Sequence, residues 1–465
     1  MIRKIIYSIL LSFTISLTYS QIPQEVWNES VKIESQIKKT SFPNRVFNIK
    51  DFGAKAGKDN LCHEAINLAI VTCSQAGGGS VVIPEGEYYT GPITLKSNVN
   101  LHLEEGAHLK FSTEKYLYTP TVLTRWEGVD CYNLRPLIYA YGESNIAITG
   151  KGIIDGQGSN DTWWSMCGSP LFGWKEGMLA QRNGGRNKLL MYAETSTPVD
   201  KRQMTLEDGL RPQLINLYRC NTILIEDVVL KNSPFWVIHP VFCESITVRG
   251  VQVISHGPNS DGCDPESSKN VLIENCVFDT GDDCIAIKSG RNMDGRKWNV
   301  PSENIIVRNC EMKDGHGGVV IGSEISGGYK NLFVENCKMD SPNLDRVIRI
   351  KTNNCRGGII ENVFVRNIEV GECKEAVLKI NLLYEGGEQC DRSFPPVVRN
   401  VYMDSVTSQK SEYGILITGY EDTINIQDIY VSNCTFNNVK KGNSIVGASN
   451  VTLKKITING KKVNK

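Results

Sequence analysis

Two adjacent aspartates, Asp282 and Asp283, stand at the entrance of Cys284–Lys288, a stretch that otherwise reads as an ordinary buried strand. Neighbouring carboxylates repel each other and give a strand nothing, so the pair needs a chemical reason. Other residues could supply it: Asp261 in PNSD, His316 in DGHGG, and Arg349 with Lys351 in RVIRIKT. One carboxyl that keeps its proton beside others that ionise meets the requirement for general acid–base cleavage of a glycosidic bond. Two cations two residues apart on a strand share one face, with Ile348 and Ile350 on the other, and suit an anionic ligand. Taken singly, each of these is more often a solvated turn or strand edge. Their value depends on a fold that brings them together.

The elements that would do so repeat along the chain. SNIAITG (144–150), NTILIEDVVL (221–230), ESITVRGVQV (244–253), KNVLIENCVF (269–278), ENIIVRNCEM (303–312) and KNLFVENCKM (330–339) share one phrase. It returns in ENVFVRNIEV (361–370), RNVYMDSVTS (399–408), QDIYVSNCTF (427–436) and SNVTLKKITI (449–458). A polar residue precedes alternating apolar and polar residues, then a turn residue and a second short strand. The alternation buries one face of each strand. A period of 22 to 38 residues, with no amphipathic helix in each unit, predicts an all-β solenoid, a right-handed parallel β-helix with coils stacked ~4.8 Å apart.

A solenoid converts phase into position. Twelve residues after Asn270 comes Asp282, and twelve after Asn304 comes His316. The same count from Ser245 reaches Gly257, just before Asp261, and from Asn331 it reaches Asn343, six residues before Arg349. Asp261, Asp282, Asp283, His316, Arg349 and Lys351 are therefore expected as one charged stripe. Gly281, Gly315 and Gly317 are expected to let a ligand approach the backbone.

The rest of the chain bounds the reading. With 465 residues, 51 basic and 51 acidic, and 40% hydrophobic, it is neither disordered nor built for nucleic acid. Arg3 and Lys4, the apolar run Ile5–Leu17 and the small residues before Gln21 read as a signal peptide over residues 1–20. Export to a periplasm or beyond the cell is expected, with no membrane anchor. Residues 21–44 form an N-terminal extension, and 45–465 a single β-helix domain. Asn60–Ser74 has apolar residues at helical spacing and is expected to cap the first coil. Residues 165–210 lack the repeat phrase and read as a long loop insertion. Of fifteen cysteines, Cys276, Cys310, Cys337 and Cys434 fall in one phase, so buried thiols are favoured over a disulfide framework. No CxxC pair and only six scattered histidines leave no metal site or cofactor expected.

NSDGCDPE (259–266), GDDCIAIKSG (281–290), GHGGVVIGSE (315–324) and RIK (349–351) together resemble the four signature segments of glycoside hydrolase family 28, the polygalacturonases. Ser260 stands where the family usually has Thr. DFGAK (51–55) and GIIDGQG (152–158) also resemble family phrases. The resemblance implies an inverting hydrolase of α-1,4-linked galacturonic acid, with a pectic polysaccharide or oligogalacturonide as partner and a monomer expected. Carried over by motif, Asp282 would be the general acid and Asp261 and Asp283 would hold the water. His316 would tune the acid, Arg349 and Lys351 would bind a substrate carboxylate, and Asn259 keeps its place in the first segment. TRWEGVDCYNLRPLIYA (124–140) and NSPFWVIHP (232–240) resemble segments of exo-acting bacterial members. Trp126, His239 and Trp236 are candidate sugar-binding residues, Trp236 being the better suited to packing. The rivals are endo action, a decorated pectin such as xylogalacturonan or rhamnogalacturonan, a calcium-dependent lyase, and a non-catalytic adhesin.

Overall fold

The computed structural model describes residues 24–463, so the signal peptide expected at 1–20 lies outside the described residues. Each coil runs through three walls. In the central coils, the first strand Lys269–Glu274 pairs in parallel with Glu244–Arg249 before it and Ser302–Arg308 after it. The second, Val277–Thr280, lies between Gln252–Ser255 and Glu311–Met312. The third, Ile285–Ile287, pairs with Val319–Gly322, which pairs with Arg346–Lys351 and then Ala376–Asn381. Earlier coils join this third wall through Cys263–Glu266, which bridges Ile238 and Val241 to Ile285 and Lys288. Strand-to-strand stacking between coils is parallel; the antiparallel pairs are the hairpin of Val122–Trp126 with Val129–Asn133 and, at the end, Lys461–Val463 folding back on Ile456–Ile458.

The repeat's asparagines mark a corner. Asn270, Asn304, Asn331, Asn362 and Asn400 all take positive φ, between 56° and 65°. Asn tolerates this region, and its amide both donates and accepts. Successive side chains exploit that in a ladder of Nδ2–H···Oδ1 bonds of 2.9–3.1 Å along the stack. In one coil the phase shifts: backbone register sets Asn221 opposite Glu244, so the partner of Ser245 is Thr222. Five residues after Asn270, Asn304, Asn331 and the equivalent Asp428, Asn275, Asn309, Asn336 and Asn433 form a second positive-φ corner. Cys276, Cys310, Cys337 and Cys434 follow at once and are buried as free thiols in the core. One disulfide, Cys355–Cys390, is present.

Helix α1 (Gln24–Gln36) lies on the outside of the first wall, where Trp27, Ile33 and Ile37 pack on Leu272, Ile306, Phe333 and Phe364. Its Glu34 accepts two 2.7 Å bonds from Arg308. Helix α2 (His63–Gln75) covers the first coil with Ile66, Ala69, Ile70 and Cys73 buried, as the spacing predicts. The 165–210 segment carries α3 (Gly185–Glu194) and several short 3-10 turns. It has its own small core, in which Leu189, Ala193, Met204 and Leu210 meet Trp126, Val129, Phe235 and Trp236. A fourth helix, α4 (Asn292–Trp298), is tied to it by Arg202, whose Nη2 donates to Asp294 at 3.0 Å. Among the described residues no helix is long and apolar enough to cross a membrane.

Candidate active site

The turn before the third wall gathers the stripe. His316 N donates to the Asp282 carbonyl at 3.0 Å, so the two residues stack in adjacent coils as the count of twelve requires. Gly262 N donates to the Asp283 carbonyl at 2.9 Å, which sets Asp261 beside Asp283 rather than beside Asp282. One carboxylate oxygen each of Asp261, Asp282 and Asp283 lies within 4.8 Å of the others. The general rule for inverting glycosidases is ~6.5–9.5 Å between carboxyl groups. By its nearest oxygens this cluster is tighter than that range.

The three aspartates have different surroundings. Asp283 is fully buried, with Lys351 Nζ 2.7 Å from one oxygen and Arg349 Nη1 3.5 Å from the other. Asp282 reaches the open pocket, and its Oδ1 is 2.9 Å from His316 Nδ1. Burial pushes the Asp282 carboxyl up, but the hydrogen bond and charge of His316 outweigh it and bring it down to about 2. The same bond and the Asp282 charge raise His316 to about 9. Burial, followed by the Asp282 charge, lifts Asp261 to about 8 against the opposing pull of Lys288. Burial and then Asp261 likewise raise Asp264, which lies behind it. Like charges crowded away from water cannot all ionise, and the shifts favour protonation of Asp261 and Asp264, whereas Asp283 has a cation beside each oxygen.

Arg349 and Lys351 are buried rather than exposed, with Tyr384 over both, 5.4 and 5.3 Å from its ring centre. Burial pulls the Lys351 ammonium down, but Asp283 more than offsets this and the net direction is up. Arg349 Nε has no hydrogen-bond partner, which leaves donor capacity free. Asn259 lines the pocket and accepts from Arg211 at 2.7 Å.

Two expected ligand contacts are corrected by burial. Trp126 has no exposed surface; its Nε1 donates to the Arg211 carbonyl and its ring stacks on Phe235. His239 is equally enclosed. Its Nδ1 faces the amide donors of Gln213 and Asn216, and its Nε2 is 2.9 Å from Glu266, which fixes a neutral imidazole donating to that carboxylate. Burial lowers its pKa accordingly. Trp236, the one favoured for packing, lines the pocket while resting edge-on against His239. A Cβ on Gly281 would meet the Gly257 carbonyl at 2.4 Å, which ties that position to coil packing, whereas one on Gly317 would meet Val320 at 2.4 Å and Asp283 Oδ1 at 3.2 Å, against the cluster itself.

Sequence reasoning missed the buried supports. Lys288 Nζ lies 3.3–3.5 Å from Asp261, Asp264 and Glu324, under the Trp236 ring. Strand parity could have found it, because Glu266, Lys288, Gly322 and Lys351 occupy one outward-facing column of the third wall. Glu324, held ionised by Lys288 and Arg291 against burial, also lines the cavity of about 280 Å³. Its far wall comes from segments outside the repeat. Glu127 belongs to the turn between Val122–Trp126 and Val129–Asn133, Arg186 to α3, and Glu385 to the loop tied down by Cys355–Cys390. Arg186 Nε donates to Glu127 at 2.7 Å, and Arg291 contacts Glu127, Glu324, Glu385 and Glu388.

Comparison with known proteins follows the same outline. The family model described as "Glycosyl hydrolases family 28" matches residues 200–454. The crystal structure of a hyperthermoactive exopolygalacturonase from Thermotoga maritima is 39% identical, covers 95% of this chain and 97% of its own, and superposes with a TM-score of 0.91. An exo-poly-alpha-D-galacturonosidase of Dickeya chrysanthemi is 29% identical over 85% of this chain and 67% of its own length. An endo-polygalacturonase of Pectobacterium carotovorum subsp. carotovorum is 26% identical over 84% and 87%.

Proposed function

This chain belongs to glycosyl hydrolases family 28 and is a pectin-degrading glycoside hydrolase of polygalacturonase type, and from that premise we propose that Asp282 is its general acid in exo-acting, inverting hydrolysis of α-1,4-linked galacturonic acid. The observation that carries the reading is the three-carboxylate cluster with His316 on one side and Lys351 on the other.

Asp282 gives its proton to the departing glycosidic oxygen. A water held by Asp261 and Asp283 attacks the anomeric carbon and passes its proton to Asp261. The step ends with Asp261 protonated and Asp282 ionised, which is the distribution that burial and His316 favour in the free protein. A proton must therefore return from Asp261 to Asp282 before the next turnover, over a gap that one water can bridge. Asp283, with a cation on each oxygen, is a poor nucleophile, and this supports inversion despite the short spacing. Arg349 and Lys351 bind the carboxylate of the sugar being cleaved. Trp126 and His239 act from behind by holding Arg211 and Trp236 in place.

Exo action is supported by Glu127 and Glu385, which Arg291 joins, and by Arg186, which pairs with Glu127; together they stand where a longer sugar chain would continue. Export follows from the reading of residues 1–20. The raised Asp261 favours a second assignment, in which Asp261 is the acid and Asp282 the base. Proton NMR of oligogalacturonide digestion tests the whole. Saturated monomer alone, released first as the β-anomer, is expected. A spread of oligomer sizes overturns exo action, an α-anomer overturns inversion, and unsaturated products overturn hydrolysis. Aryl glycosides, whose leaving groups need no proton, should restore turnover to Asp282→Asn but not Asp261→Asn; the opposite pattern reverses the two roles.

A further inference from the structure

The third wall has a second edge. The catalytic aspartates precede its strands, whereas Tyr141 and Tyr218 end the strands of two earlier coils in register with Val241 of the next, and Arg219 and Phe242 come one residue later. Tyr141 stacks on Tyr218 at 5.7 Å, Tyr218 meets Phe242 at 5.8 Å, and Phe242 meets Trp298 of α4 at 5.1 Å. Tyr141 is 47% exposed and Trp298 39%. Arg219 is exposed too, its guanidinium 5.1 Å from the ring centres of both Phe242 and Trp298. It forms no ion pair among the described residues.

The rings are held, not merely left over. Tyr218 Oη donates to Asp130 at 3.0 Å and Trp298 Nε1 donates to the same carboxylate at 2.5 Å. Asp130 is buried and paired with buried Arg125 at 2.7 and 3.0 Å, and Arg125 in turn lies 4.3 Å from the Phe242 ring centre. A buried carboxylate thus turns the polar tips of buried Tyr218 and of Trp298 inward, leaving Tyr141, Trp298 and part of Phe242 to solvent with one guanidinium between them. None of these residues lines the catalytic pocket.

We infer that Tyr141, Arg219 and Trp298 form a surface binding strip for an acidic sugar polymer, separate from the catalytic pocket. Flat aromatic rings accept the C–H face of a pyranose, and a guanidinium already oriented by ring stacking offers its fork to a carboxylate. An apolar protein partner would find an unpaired cation in the middle of its contact, so charge favours the saccharide. That the polymer is galacturonan rests on the proposed function. Such a strip would keep the enzyme on a polymer whose ends it cleaves.

Electrophoresis through gels containing polygalacturonate, or its methyl ester, tests the strip using Tyr141→Ala and Arg219→Gln. Both positions are exposed, and unchanged melting checks their folding. Each substitution should weaken retention by polygalacturonate roughly tenfold. Trigalacturonate turnover should be unchanged, and the ester should hold the wild type less well than the acid. Undiminished retention of both variants, or equal retention by the ester, overturns the strip. So does a dimer lost in Tyr141→Ala whose retention is intact. Wild type that binds the polymer through the strip yet fails to cleave trigalacturonate sinks the hydrolase reading and leaves the strip standing.

Discussion

His316 Nδ1 and Asp282 Oδ1 lie 2.9 Å apart across two adjacent coils, and their pKa values move in opposite directions because of it. The imidazolium stays charged up to about pH 9, so Asp282 is an anion unless a proton reaches it from the cluster behind. Activity should therefore fall as pH rises through about 8, where Asp261 gives up the shared proton. Removing a neighbouring cation makes a carboxyl hold its proton more tightly. His316→Asn should then lower kcat by ~10²-fold yet move the alkaline limb upward. A kcat/KM profile from acid to alkaline pH checks this; a limb that moves down sinks the explanation.

Asp261 carries a stability cost that its chemistry explains. Its pKa is raised on folding, so the folded state binds the extra proton; stability is unaffected by this group below pH ~4 and declines as pH rises towards about 8. Asp261→Asn cannot ionise and should melt above the wild type at pH 7–8 by ~1–3 °C, with the difference vanishing near pH 4. Melting curves across that range decide it. Activity should be lost at every pH.

Arg349 has a free Nε and only a long contact to Asp283, so its donors are available to a ligand. A charge-assisted hydrogen bond to a buried partner is worth ~1.5–3 kcal/mol. Arg349→Gln should raise KM for trigalacturonate roughly 10- to 100-fold and reduce its preference for the acid over the methyl ester. Steady-state kinetics on both substrates measure it. An unchanged preference means that the carboxylate is bound elsewhere.

The stripe was legible because backbone pairing in a solenoid preserves phase: Asn304 and Asn270 stack, so His316 and Asp282 twelve residues later stack too. The cysteines were legible for the same reason. Burial was not. Trp126 and His239 sit in suggestive phrases, yet the insertion and the hairpin around Glu127 close over them, contacts between segments that share no repeat. Lys288 was hidden for the opposite reason, since its strand looks apolar and buried and its cation gains meaning only when the outward column is traced to Lys351. The pocket's far wall, with Arg186 on α3 and Glu385 on a loop, comes from segments whose positions no periodicity fixes.

The most direct test of the account is single-turnover hydrolysis of trigalacturonate by Asp282→Asn. The substitution keeps the size of the side chain, so circular dichroism should match the wild type, with melting lowered at neutral pH by loss of the His316 ion pair. The cleavage rate should fall by ~10³-fold or more. A folded variant that cleaves within tenfold of the wild-type rate would contradict the assignment of Asp282, and with it the reading of the cluster around it.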